Sequence, residues 1–409
     1  MIQPQPQASI WPVLIYRDRL LPYSETFIPA QVEALRRYQG YYVGVGREPS
    51  GLGHLPSQRL CLLEDAVRWS KPSATAFRLG GVLPKEFLRR LQAHQPRLIH
   101  AHFGPDGVFS QAIARRLKIP LVVTFHGYDA ALKLAPEQNH PSLGQQLNQL
   151  LYHRGTFYRR RYVEQRSRLF AQADQIIAVS HCIRSHLLAQ GCPAEKVMVH
   201  YVGIDRQQFQ PDPQVAREPV VLFVGRLVEK KGCGLLLQAM RSIQQLHPQV
   251  KTVIIGDGPL RASLEQQAAR MLPTHTEFLG VQPAAVVRQW MNRARVFCVP
   301  SQMTAQQDVE GLGMVFAEAQ AMGLPVVSFA SGGVPEVVRE GVTGLLAPEG
   351  DGEALGKALH RLLDDDALWE RLAIAGQHHI AENFDLARNT PLLEAIYDRL
   401  LDRKSHDIG

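Results

Sequence analysis

No apolar run in this chain approaches the roughly 18 residues that a membrane-spanning helix needs, and the opening MIQPQPQASIW lacks the basic start and apolar stretch of a secretory signal. Both absences predict a cytosolic chain. Cysteine is scarce: Cys61, Cys182, Cys192, Cys233 and Cys298 form an odd count without a C-x-x-C pair. That argues against a disulfide framework and a zinc knuckle, and predicts reduced, mostly buried thiols. The G-x-G-x-x-G of nicotinamide sites is missing, and Gly356-Lys357 lacks the glycine five residues earlier that a P-loop needs. Neither a 20–50-residue repeat nor a low-complexity tract is visible, and 32 Gly with 27 Pro are too few and too scattered for a disordered or collagen-like chain.

What is present is ordinary globular composition spread over 409 residues, more than one hydrophobic core normally absorbs, so two domains are expected. The net charge of +7 is uneven. Residues 1–205 hold 25 Lys+Arg against 14 Asp+Glu, a balance of +11, which leaves −4 for residues 206–409. The basic half should face something anionic: a membrane surface, a phosphorylated lipid or nucleic acid. Nucleic acid is disfavoured because the basic residues lack the aromatic interleaving of strand-binding surfaces.

Short apolar runs alternate with helical periodicity, the βαβ signature of parallel sheets covered by helices, so the fold class is α/β. Strands are expected near Val13–Tyr16, Tyr41–Val45, Leu98–Ala101, Leu121–Phe125, Gln175–Val179 and Val197–His200, with a helix at Val108–Leu117. A second set lies near Val220–Val224, Lys251–Ile255, Thr276–Phe278, Val296–Val299 and Val326–Phe329. Three prolines in 209–219 place a linker there. The expected organisation is therefore a first domain over 1–208, a second over 220–385, and a C-terminal helix over 386–409 packing back toward domain one, with a cleft between two Rossmann-like domains. Asp364-Asp365-Asp366 contains a D-x-D string, but inside a helical run it reads as a solvated turn, and no metal-ligating set is expected.

The stretch from Pro300 to Pro325 is the most informative. Glu310-Gly311-Leu312-Gly313 forms a turn without bulk, and Met314–Met322 reads as a helix. The first N–H groups of a helix lack internal partners and the dipole there is positive, so the backbone of Gly311, Leu312, Gly313, Met314 and Val315 is a candidate diphosphate cradle. Glu318, roughly 7 Å along the helix at 1.5 Å per residue, is placed to accept hydrogen bonds from ribose hydroxyls. Glu310 would face the group beyond the phosphates. Both also read as surface glutamates near a helix start. Upstream, Gly225 lets the chain turn sharply after a strand and sets Arg226 and Lys231 at the mouth of a parallel sheet, where two cations could neutralise a departing diphosphate. Lys230 reads better as solvated. Gly256-Asp-Gly-Pro259 suits a flat base packed on backbone, with base choice depending on Gly256 and on Gly280–Val281.

Arg226 with Lys231, and Glu310-x7-Glu318 followed by Gly323-x-Pro325-Val326-Val327, resemble the donor half of retaining glycosyltransferases of the GT-B fold, family 4. Ser24-Glu-Thr-Phe-Ile28, His100-Ala-His-Phe-Gly-Pro-Asp-Gly107, Phe125-His-Gly-Tyr-Asp129, Val179-Ser180 and Gly203-Ile-Asp205 resemble its exopolysaccharide branch, which includes colanic acid biosynthesis enzymes. The resemblance implies a functional His126, a residue that alone would read as a satisfied structural histidine. It also implies an acceptor side around Ser24, Glu25, His102 and Asp106, where a loop-stabilising network is the competing reading. Its further implications are a UDP- or GDP-sugar donor, a glycan or lipid-diphosphate-linked acceptor, same-face attack with retention, no cofactor, and a place at the inner membrane face. A sugar-nucleotide epimerase-like enzyme and a non-catalytic nucleotide-sugar-binding protein are the alternatives. The segment Leu151–Phe170, with six arginines interleaved with aromatics, reads equally as an anionic-surface helix or as a helix packed on domain one.

Overall fold

The computed structural model describes residues 10–48, 51, 55–132 and 154–406. They form two compact units. Unit 1 takes the chain up to Val179, Ile183–Gly203 and the chain from Leu386 onward, and unit 2 takes Ser180–Cys182 with Ile204–Asp385. The proline-rich residues 209–219 thus lie inside unit 2, where the Asp212 amide donates to Asn292 Oδ1 and strand pairing resumes at Glu218.

Unit 1 is built on a seven-stranded parallel sheet made of β1 (Trp11–Tyr16), β2 (Tyr38–Gly44), β3 (Leu60–Leu62), β4 (Leu98–His102), β5 (Leu121–Phe125), β6 (Gln175–Ala178) and β7 (Val197–Val199). Their order is β3-β2-β1-β4-β5-β6-β7. Unit 2 repeats the plan with β8 (Glu218–Val224), β9 (Lys251–Ile255), β10 (Thr276–Gly280), β11 (Ala294–Cys298), β12 (Val326–Phe329) and β13 (Gly344–Ala347), ordered β10-β9-β8-β11-β12-β13. Strands such as β4 and β5 are buried along their whole length, as parallel strands covered on both faces must be. In each unit the chain winds outward from its first strand, then returns to lay a strand on the other side. The reversal falls between β1 and β4 in unit 1 and between β8 and β11 in unit 2. Open α/β sheets bind ligands outside the carboxyl ends of the strands at such switch points.

Two strands of these sheets escaped the sequence reading, as did the small separate pair Arg19–Leu20 and Gly46–Arg47. Leu60–Leu62 is too short to show a period, and Gly344–Ala347 opens on glycine and pairs only with β12. The helix Leu386–His406 completes the core of unit 1, where Leu393, Ile396, Tyr397 and Leu400 join the cluster around Val13, Tyr38 and Tyr42. Polar bonds fix its register: the buried Glu394 carboxylate accepts from the amides of Arg36 and Arg37 at 2.7 Å each.

Of the segment Leu151–Phe170, residues 151–153 with Tyr152, and the side chains of 154–159 with Phe157 and Tyr158, lie outside the described residues. The rest belongs to the helix Arg154–Gln172, in which Tyr162, Leu169 and Phe170 are buried in unit 1. Arg161 donates to Leu79 O and Arg166 to Leu132 O, while Arg160 pairs with Glu164. These apolar side chains are already used by the core, which favours the packed reading of this stretch over membrane insertion. No helix among the described residues is long and apolar enough to cross a membrane. Cys61, Cys192, Cys233 and Cys298 are buried free thiols and Cys182 is partly buried, with burial raising each of their pKa values.

Candidate active site

Unit 2 collects its polar residues where β8 and β11 end. The chain leaves β8 through Gly225 and Arg226 and makes a 3-10 turn at Glu229–Lys231; β11 ends at Cys298 and leads to Ser301 and Glu310. Lys231 Nζ and Glu310 Oε2 are 2.5 Å apart, and Ser301 Oγ donates to the same oxygen at 3.2 Å. Burial would raise the Glu310 carboxyl, but Lys231 and Lys230 outweigh it and hold the group at about 2, so the carboxylate is ionised throughout the physiological range. The resulting stability is complete above the usual glutamate range and is lost as pH falls toward 2. Lys230, expected to be solvated, is instead 8% exposed and paired with Asp308 at 2.9 Å, because the turn carries its side chain under the 301–310 loop. Arg226 is exposed and has no ion pair among the described residues, so its charge is available to a ligand.

The turn Gly311-Leu312-Gly313 is buried and passes directly into the helix Met314–Ala321, whose first residues Met314 and Val315 are half-buried. Gly313 sits at φ +81°, a left-handed conformation that aims the helix start. Gly332 and Gly333 press on this turn from the next loop, and the Gly333 amide donates to Glu310 O at 2.8 Å. Sequence reasoning passed over these two glycines and Ser301. Their signal was Ser-Gly-Gly one residue past the end of a strand. Glu318 lies in the helix, where burial pushes its carboxyl up to about 7 against the opposing pull of Arg288.

At the edge of this site Gly256, at φ +138°, lies so close to the preceding loop that a Cβ there would fall 1.9 Å from Gly225 O. A Cβ on Gly225 itself would meet nothing nearer than 3.7 Å, and its φ is not positive. The sharp turn expected from Gly225 therefore does not need glycine's freedom; the crowded backbone belongs to Gly256. Val281 is exposed beside Gly280, whose carbonyl accepts from the Gly256 amide at 2.8 Å.

Unit 1 gathers charges at its own switch point. Arg17, just beyond β1, makes a two-pronged bond to Glu25 at 2.8 and 2.9 Å and reaches Asp106 at 2.7 Å. Asp106 is pushed up to about 7 by burial against the pull of Arg17, and its neighbour Asp18 pairs with Arg78. Ser24 is exposed in the adjoining turn. Glu25 and Asp106 are buried and share Arg17, the geometry of a loop-stabilising network, whereas the buried His102 bonds His126. Sequence reasoning missed Arg17 as its hub.

His126 follows β5, partly accessible, between the rings of Phe27 and Phe103 at 4.9 and 4.6 Å. Its Nε2 lies 3.0 Å from His102 Nδ1. Burial, with His100 and Arg17 nearby, drives its pKa down to about 3, so the imidazole is neutral and acts as a hydrogen-bonding group, not as a cation. The buried Asp129 carboxylate positions it, accepting from the amides of Gly127 and Gly104 at 2.9 Å and His126 at 3.1 Å. Burial raises Asp129 to about 6 although those three amides pull the other way.

Two Rossmann-like sheets, each with a charged cluster at its switch point, one combining a lysine–glutamate pair with a glycine turn at a helix start, define the GT-B class of sugar transferase. Residues 205–379 match the family described as glycosyl transferases group 1, and residues 25–208 match glycosyltransferase family 4. The chain is 33% identical to the amylovoran biosynthesis glycosyltransferase AmsK of Erwinia amylovora over 81% of its own length and 83% of that protein's. It is 32% identical to the putative colanic acid biosynthesis glycosyltransferase WcaL of Escherichia coli K12 over 66% of its length and 62% of that protein's. Its fold is similar to that of Anabaena HepE in complex with UDP and glucose, with TM-score 0.72, 20% identity, and 95% and 100% of the two chains covered. The chain belongs to the family 4, group 1 glycosyltransferases.

Proposed function

We propose that the chain moves a sugar from a UDP- or GDP-sugar to a glycan or lipid-diphosphate-linked acceptor in exopolysaccharide assembly, with retention at the anomeric carbon and without a catalytic metal. The observation that carries this reading is the buried, ionised Lys231–Glu310 pair beside the helix start at Gly313. Cleavage of the bond between the anomeric carbon and the diphosphate builds negative charge on the leaving oxygen. Lys231, the exposed Arg226 and the amides of residues 311–315 form a fixed set of donors for that charge, the role a divalent ion fills in other transferases. Glu310 orients the lysine and offers its second oxygen to a sugar hydroxyl. His126, neutral, serves as a hydrogen-bond partner in the transfer step. The acceptor's proton leaves with the phosphate on the same face, which accounts for retention without a covalent nucleophile. HepE's UDP and glucose, and the polysaccharide roles in the names of AmsK and WcaL, support the donor and acceptor classes. The surplus of +11 in residues 1–205 supports attachment of unit 1 to an anionic inner-membrane surface through charge alone.

The test is transfer from UDP-glucose and GDP-mannose, in parallel, to a lipid-diphosphate glycan in excess EDTA, with the product's anomeric configuration read by NMR. Retention at an undiminished rate is expected. An inverted product, or activity restored only by magnesium or manganese, overturns the mechanism.

Glu318 supplies a second check. With its carboxyl at about 7 in the free protein, it is mostly protonated at pH 6 and mostly ionised at pH 8. Ribose hydroxyls donate best to the carboxylate, so nucleotide binding should weaken as pH falls through 7. Calorimetry is expected to show a several-fold weaker Kd for UDP or GDP at pH 6 than at pH 8. Glu318→Gln should bind weakly at both, with the pH difference gone.

A further inference from the structure

The three successive aspartates after Leu363 are exposed at the junction of two helices, as the solvated-turn reading expects. They divide between two helices, and each has its own partner. Asp365 caps the helix Asp366–Asn383 by accepting from the Leu368 amide, and Asp366 pairs with Arg295. Asp364, the last residue of the helix Gly352–Asp364, faces two imidazoles: its oxygens lie 3.4 Å from His247 Nε2 and 3.4 Å from His360 Nδ1. Those two nitrogens are 2.8 Å apart. We infer that His247, His360 and Asp364 bind one divalent transition-metal ion of the zinc type, at a site separate from the sugar-transfer machinery.

Five observations converge on this. His360 and Asp364 are four residues apart on one helix and therefore share a face. His247 comes from the C-cap of the adjoining helix Cys233–Leu246, which packs against the first. A tetrahedral ion with bonds of about 2.0–2.2 Å has ligand-to-ligand edges of about 3.3–3.5 Å, and each imidazole already has one Asp364 oxygen at that distance, Oδ1 for His247 and Oδ2 for His360, so a turn of the carboxyl group must bring one oxygen to the ion. The third edge needs to open by about half an ångström, as the two ring nitrogens exchange their shared proton for the ion and release it to solvent. Two imidazoles and a carboxylate form the mixed nitrogen and oxygen set that zinc, cobalt and nickel accept, with a fourth position left for water. Finally, both helices end here, and their terminal carbonyls turn partial negative charge toward the cation. His247 is 9% exposed and so held in place by packing, whereas His360 and Asp364 are open enough to admit an ion.

The position separates this site from catalysis. The helix Cys233–Leu246 starts two residues after Lys231 and ends at His247, so its 14 residues hold the two sites about 20 Å apart. An ion here clamps two helices at the edge of the sheet opposite the strand ends that carry Lys231.

Tag-free, metal-stripped full chain would be titrated with Zn2+ by calorimetry and with Co2+ by visible absorption. One equivalent per chain is expected, with the intense bands of tetrahedral cobalt and a higher Tm in zinc. His360→Ala and Asp364→Asn, both at accessible side chains, should keep the wild-type circular dichroism and metal-free Tm while raising Kd by more than about ten-fold. Lack of stoichiometric binding by the wild type, or unchanged affinity in both variants, overturns the inference. Transfer rates with and without EDTA are a separate readout: loss of zinc should lower Tm and leave the initial rate alone, so failure here and failure of the metal-free mechanism appear in different measurements.

Discussion

Lys231→Met is expected to lower kcat by about 10²–10³, with a much smaller change in KM, because the lysine's charge matters most when the diphosphate departs. The single variant has a second effect. It leaves Glu310 buried beside Ser301 without its cation, and stranding one member of a buried pair typically costs about 3–5 kcal/mol. Stability and chemistry are therefore confounded in that protein alone. Adding Glu310→Gln removes the stranded charge: the double variant should recover most of the lost Tm and none of the lost turnover. A double variant that regains activity along with stability would make the pair a structural clasp and remove its catalytic role. Glu310→Ala alone should mainly lower turnover, and Glu318→Ala should mainly weaken nucleotide binding.

A comparable effect on folding is expected from Gly256→Ala. The new methyl carbon would sit 1.9 Å from Gly225 O at a φ of +138°, so either β9 or the loop bearing Arg226 must move. Backbone strain of about 1–3 kcal/mol adds to that clash, for a total of about 3 kcal/mol or more. In a unit of this size that lowers Tm by about 6–12 °C, with loss of UDP or GDP binding as the loop shifts. Gly225→Ala is the control, since its methyl group would be in ordinary contact with Lys231 Cδ at 3.7 Å. Its Tm should change by less than about 2 °C. Similar losses in the two variants, measured by calorimetry, would mean that the close approach at Gly256 is not what holds this loop.

The contrast between these glycines shows what can and cannot be seen in a sequence. Alternation of apolar runs placed nearly every strand, because a parallel strand covered on both faces must be largely apolar, as β5 and the Val253–Ile255 end of β9 are. The donor-side residues were legible for a local reason: Glu310, Gly313 and Glu318 lie within one strand–turn–helix step. Residues that act across long separations were not. Arg17 meets Asp106 89 residues away, and nothing in either neighbourhood announces the other. Lys230 looked like half of a solvated pair because its partner Asp308 is 78 residues downstream. The 386–406 helix was expected to pack on domain one and does, but its bonds from Tyr397 to His100 and from Glu394 to Arg36 and Arg37 join residues too far apart for any local pattern to pair.

That helix has a consequence for how the protein is made. Its Tyr397 hydroxyl bonds His100 Nδ1 across 297 residues, and its Glu394 closes the amides of Arg36 and Arg37. A ribosome adding about 5–20 residues per second must translate the 182 residues from Ile204 to Asp385 before this helix emerges, a delay of about 10–40 s. During that time the first-made sheet waits with one wall of its core missing, and unit 2 has its sequence complete before the helix that closes unit 1 is made. The nascent chain is thus exposed to aggregation at unit 1, and a chaperone that shields the surface around Tyr38 and Tyr42 would protect it until Tyr397 arrives.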